Sequence, residues 1–99
     1  MSAAGWRDLC ERLLSFDEFI RLGGGNAFDY IVYVIREMVR LHPEHRVRLD
    51  QVVACIEEKA NGDRRLKVAA TRKRVLAAVT VLARRGEIRR VALVLDGSR

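Results

Sequence analysis

No stretch of this chain stays apolar for the about 18 residues that a membrane-crossing helix needs, so no spanning segment is expected. Acidic residues come early and no long apolar core opens the chain. That pattern predicts no signal peptide and an intracellular protein, cytoplasmic (nucleoid-associated) or nuclear. Cysteine is scarce, with only Cys10 and Cys55. They form no CxxC motif and no Cys/His cluster, so a zinc site is not expected. Each falls on a predicted apolar face, where a free thiol packs as a small hydrophobe. Two free thiols are therefore expected, with a disulfide, as in hyperthermophiles, the alternative.

Catalytic constellations are missing too. Glu57-Glu58 and Asp17-Glu18 are adjacent pairs, and neighbours on a helix point to different faces rather than forming a carboxylate dyad. His42 and His45 flank Pro43 with no further ligand type nearby, and read as surface histidines beside a turn. Ser15, Ser98 and the cysteines have no base close in sequence. Gly23-Gly24-Gly25 is followed by Asn26-Ala27, not by the spacing and Lys-Ser/Thr of a phosphate-cradling loop. It reads as a flexible connector. The expectation is a protein without enzymatic activity, metal or cofactor.

What the chain does have is positive charge, unevenly placed. Its 99 residues carry a formal charge of +6. Residues 1–45 hold five Arg and seven acidic residues, a net of −2, while residues 46–99 hold fourteen Arg and Lys and six acidic residues, a net of +8. Concentrated cationic charge favours polyanions, because each phosphate contact releases condensed counterions. Arginine outnumbers lysine sixteen to three, and its planar fork suits phosphate and guanine. The one Gln and two Asn fit a thermophilic source.

Periodicity divides the chain into one domain over 1–99, mainly α with a small antiparallel β-sheet. Residues 1–22 form an N-terminal helical extension. In it Trp6, Leu9, Cys10, Leu13 and Leu14 make an apolar stripe, after a Ser2 cap. Ser15 and Glu18 form a capping-box pattern where the helix restarts or bends. Asn26 caps the next helix, with Asp29 in its first turn. Phe28, Ile31, Val32, Ile35, Met38 and Val39 are its buried face, widened by Tyr30, Tyr33 and Val34, so it is expected at the centre. Residues 45–49 alternate as a half-buried strand does. Asp50 then caps a helix over 51–60, with Val52, Val53 and Ile56 facing inward, and Asn61-Gly62 supplies a turn. A basic helix over about 66–85 places Val68, Val75, Leu76, Val79, Leu82 and Ala83 on one face. Ala70, Lys73, Arg74, Ala77, Thr80, Val81 and Arg84 fall on the other. Gly86 closes it, residues 87–95 read as a strand pairing with 45–49, and 96–99 as a frayed tail.

Residues 26–95 resemble the winged helix-turn-helix family. The residues behind this are Arg46-VRLDQVVACIEEKAN-Gly62, then Lys67 to Arg85, then Gly86-Glu-Ile-Arg-Arg90. The resemblance implies that the basic helix docks in the major groove of double-stranded DNA. Thr71, Lys73, Arg74, Ala77 and Thr80 would approach bases or phosphates. Arg64, Arg65 and Lys67 would clamp the backbone beside the helix start. Arg84, Arg85, Arg89 and Arg90 would reach flanking phosphates, and Arg74 matches guanine best. Residues 87–95 contain no turn residue, so the wing is reduced or missing, and their apolar faces invite pairing with a second chain. A small transcriptional regulator, a homodimer on a two-fold site, is the expectation. The N-terminal stripe either packs on its own domain or forms the dimer interface. The rival reading is a protein-interaction winged helix within a replication or transcription complex, with Ala70, Ala77 and Val81 meeting an apolar partner. Non-specific chromatin or RNA binding is a third, disfavoured for single strands by the scarcity of aromatics in the basic half.

Overall fold

The computed structural model describes residues 5–60, 63–69, 72–89 and 93–94, without the side chains of 67–69 and 93–94. In chain order these form α1 (Trp6–Glu11), α2 (Phe16–Arg21), α3 (Ala27–Leu41), β1 (Val47–Arg48), α4 (Leu49–Ala60), α5 (Arg64–Ala69), α6 (Arg72–Arg84) and β2 (Leu93–Val94). The fold is mainly α, as expected. Among the described residues no helix is long and apolar enough to cross a membrane.

The N-terminal extension is two helices. Ser15 starts the second: its hydroxyl accepts from the Glu18 amide, while the Glu18 carboxylate accepts from the Ser15 amide. This satisfies two donors that a helix start would otherwise leave open. Asn26 and Asp29 repeat the arrangement at the head of α3. The three glycines between them are a fixed turn, not a flexible connector. Gly23 donates to the Ile20 carbonyl and Gly24 to the Phe19 carbonyl, both at 2.9 Å, the paired bonds of a Schellman cap. Gly23 has φ +80°, which a side chain would strain. A Cβ at Gly24 would meet the Phe19 ring at 2.6 Å.

α3 is the central helix. Tyr30, Ile31, Val34, Ile35 and Met38 are fully enclosed. α1, α2, α4, α5 and α6 all pack on it, α6 making the largest contact, and α1 also packs on α4. Phe16 and Phe19 pack edge-on against the Tyr30 ring at 5.3 and 5.2 Å between centroids. Tyr30 donates its hydroxyl to the Leu14 carbonyl at 2.7 Å, and the Tyr33 hydroxyl accepts from the Leu14 amide at 2.9 Å. The peptide groups on either side of Leu14, which lies between two helices and cannot use helical partners, are thus held by two side chains. The stripe of Leu9, Cys10 and Leu13 is buried inside its own chain, with Trp6 and Leu14 partly buried at its edges.

Three expectations need correction. Cys10 and Cys55 are bonded to each other, with their Cα atoms 5.8 Å apart, and are not free thiols. Two apolar faces that each present a cysteine to the same seam bring the sulfurs together. The strands pair in parallel, Val47 with Leu93 and Arg48 with Val94, not antiparallel. The physical reason is the connection. β1 feeds straight into α4, and a helical crossover returns the chain in the direction it left. Asp50 is not a cap. α4 starts at Leu49, the Gln51 side chain accepts from the Arg48 amide, and Asp50 pairs with Arg48 at 3.0 Å.

The basic helix expected over 66–85 corresponds to α5 and α6, with residues 70 and 71 outside the described residues. Ser2, the Asn61-Gly62 turn, Arg90 to Ala92 and the 95–99 segment also lie outside. Reduction of the Cys10–Cys55 bond is expected to lower unfolding stability by about 2–4 kcal/mol. Urea denaturation with and without reductant checks this. A chain in which both cysteines are replaced by serine should give one midpoint under both conditions.

Candidate nucleic-acid interface

From Arg64 to Arg85 the sequence contains eight basic residues and no acidic one. α6 turns this composition into a two-faced rod. Val75, Ala78, Val79 and Leu82 are buried, at the spacing of one helical stripe. They pack on α3 and α4. Arg72, Lys73, Arg74, Ala77 and Arg84 are exposed. The helix ends as expected at Gly86, whose φ is +75°. Gly86 donates to the Ala83 carbonyl and Glu87 to the Leu82 carbonyl, a second Schellman cap. Leu76, expected on the buried face, is 39% exposed, and Ala78 takes its place inside. The reason is helical phase: Val75, Ala78, Val79 and Leu82 recur at i, i+3, i+4 and i+7, and Leu76 falls to the side of that stripe.

The expected site residues divide into three groups. Arg64, Lys73, Arg74, Ala77 and Arg84 are exposed on α5 and α6. Arg65 is exposed too, but its guanidinium is already bound. It donates to Asp63 through Nε at 3.2 Å and Nη2 at 2.9 Å, and lies 5.1 Å from the centroid of the Phe16 ring. Its guanidinium is engaged by Asp63 and the Phe16 ring while its side chain stays largely in solvent. Thr80 is half-buried and donates its hydroxyl to the Leu76 carbonyl at 3.1 Å, so that proton is spent inside the helix. Arg89 is exposed beyond the Gly86 turn, apart from the α6 face, lining a cleft beside α3. The Lys67 side chain and Thr71 lie outside the described residues.

One exposed cation escaped the sequence reading. Arg72 opens α6 with its side chain outward. The signal was present in the unbroken run Arg72-Lys73-Arg74. The partner that occupies Arg65 was also legible, because Asp63 lies two residues away and a helix start brings the two together.

Ion pairs occur in both halves, and in the basic half they engage Arg48 with Asp50, Arg65 with Asp63 and Arg85 with Glu87. Arg7, Arg21, Arg36 and Arg40 have carboxylate partners in Glu58, Asp17, Glu37 and Glu37, at 3.1, 2.8, 3.5 and 2.6 Å. Among the described residues Arg64, Arg72, Lys73 and Arg84 have none. Exposed pairs contribute little to stability, about 0–1 kcal/mol each. They do cancel charge, and among the described residues Arg72, Lys73 and Arg84 of α6 keep theirs. Among the described residues no group of three His, Cys, Asp or Glu is placed to hold a metal. His42 Nδ1 accepts from the Glu44 amide, and the His45 ring bonds the Val39 carbonyl, so both histidines are used to shape their loop.

No family model, no curated protein and no solved structure matches this chain.

The hydrogen bond from Arg65 holds the Asp63 carboxyl below its ordinary value of 3.8, and Asp63 raises Arg65 in turn. A depressed carboxyl stabilises the fold above its unfolded pKa and loses that contribution as pH falls through the folded one. Replacing Arg65 by Gln removes the largest cause. The Asp63 titration followed by carbon NMR should then move up towards 3.8. An unchanged midpoint would mean that Arg65 is not what holds Asp63.

Proposed function

We propose that this protein binds double-stranded DNA through the exposed face of α6, as a small transcriptional regulator of winged-helix type with little or no wing. The observation that carries the reading is the set of exposed cations on α6, of which Arg72, Lys73 and Arg84 have no ion pair among the described residues. A rigid rod of cations some 13 residues long presents charge at a spacing suited to a groove lined by phosphates. The element order from α3 to β2 supports the winged-helix comparison. The parallel pairing of β1 with β2 departs from it, so the proposal rests on the helix and not on a wing. Arg64 and Arg84 are its outer phosphate contacts, Lys73 a central one, and Arg74 the base reader. Arg65 is withdrawn from that set. The homodimer rests on the 87–95 segment, since the centre of the N-terminal stripe is used internally.

A second reading has one observation in its favour. Leu76 and Ala77 put an apolar spot in the middle of the cationic face. A partner protein would bury that spot and leave the arginines as a charged rim.

Titration of random duplex DNA across a salt series separates the two. DNA binding predicts a linear fall of log K with log salt, with a slope of about −0.9 for each phosphate neutralised. Lys73→Gln should make the slope shallower by about one. Once a cognate sequence is selected, Arg74→Ala should cost about 1–3 kcal/mol on it and less on random DNA. No binding at about 50 mM salt sinks the DNA reading and favours the protein partner.

A further inference from the structure

Where the C-terminal turns of α3 and α6 meet the loop before β1, the surface opens into a cleft of about 910 Å³. None of the exposed α6 residues assigned to DNA lines it. Its floor is apolar, with buried Val39 from α3 and half-buried Ile88 from beyond Gly86. Its walls carry four arginines, Arg36, Arg40, Arg46 and Arg89, against the two carboxylates Glu44 and Glu87.

These arginines are not equivalent. Arg36 lies 3.5 Å from both Glu37 and Glu87, and Arg40 is bound to Glu37 at 2.6 Å. Arg46 and Arg89 are exposed and have no carboxylate partner among the described residues. The wall that carries Arg46 is firmly built. His45 sits at φ +56°, a region uncommon for a residue with a side chain. Its amide donates to the His42 carbonyl at 2.9 Å, and its ring bonds the Val39 carbonyl at 3.1 Å. The carbonyl only accepts, so the His45 proton is on Nδ1. Backbone held in a sparsely populated region points to a site whose geometry matters.

We infer that this cleft binds a small phosphorylated molecule of nucleotide size, with Arg46 and Arg89 on the phosphates and Val39 and Ile88 under its apolar part. Guanidinium forks match phosphate oxygens in pairs. The volume falls within the roughly 300–1,000 Å³ of small-molecule sites. Glu44, at the rim, repels such a ligand and limits its affinity.

The test is calorimetric titration of the full chain at low salt with ATP, pyrophosphate and adenosine. ATP should bind saturably and more tightly than pyrophosphate, and adenosine should bind weakly. Arg46→Gln and Arg89→Gln should each weaken ATP by about 10-fold, the loss of one charged hydrogen-bonding group. Glu44→Gln should strengthen it, and Lys73→Gln should leave it unchanged. Thermal unfolding of each variant establishes that these surface changes leave the fold intact. Absence of saturable ATP binding overturns the proposal. So does a Lys73→Gln loss as large as the cleft variants show, which would mean diffuse charge attraction. Pyrophosphate binding as tight as ATP would remove the role of the apolar floor. Displacement of ATP by a short duplex would assign the cleft to the DNA surface instead.

Discussion

An amphipathic helix is ordinarily buried along one stripe, but α3 is enclosed from two sides. Tyr30 and Tyr33 turn towards α2, and Ile31, Val34, Ile35 and Met38 are fully buried, while Asp29, Arg36 and Arg40 leave one narrow face towards solvent. Each face needs a cover of matching shape, and the chain supplies two. The N-terminal pair α1–α2 supplies one, and α4 to α6 supply the other, the two covers meeting where α1 packs on α4. The position of α6, and so of its cationic face, follows from this. Its stripe of Val75, Ala78, Val79 and Leu82 has somewhere to go only because α3 remains apolar on that side after α2 is seated.

The two-sided arrangement also assigns the arginines. Those near the N-terminal cover are drawn into pairs by the acidic residues around them, such as Asp17 and Glu58. Those on α6 have no acidic residue in their own helix to fold back on. Arg65 shows the boundary. It stands at the start of the acid-free stretch, two residues from Asp63, and that single carboxylate together with the Phe16 ring engages its guanidinium at the surface.

Features written in adjacent residues were legible in the sequence. The Ser15/Glu18 and Asn26/Asp29 boxes, the stop at Gly86 and the central place of α3 each need only a few neighbouring positions. Features that join distant segments were not. Nothing near Cys10 states that Cys55 faces it across the α1–α4 seam. The hold of Tyr30 and Tyr33 on the backbone at Leu14 looks, in sequence, like two more apolar residues on a helix face. Strand direction depends on the path of the chain between residues 48 and 93, which alternation within either strand does not record. For the candidate site, outward-facing Lys73, Arg74 and Arg84 followed from helical phase, but the engagement of Arg65 required knowing that α5 begins at Arg64 and abuts α2.

The bond between Cys10 and Cys55 closes a covalent ring that contains α2, α3, β1 and most of α4. α5 and α6 hang outside it. Even a fully opened chain keeps α1 beside α4, whereas α6 is retained by non-covalent packing alone. The molecule therefore has two tiers of persistence. A local opening that peels α6 from α3 leaves a tethered remnant able to recapture it. The surface best suited to a polyanion is thus carried by an element outside the covalent ring, held by the packing of Val75, Ala78, Val79 and Leu82.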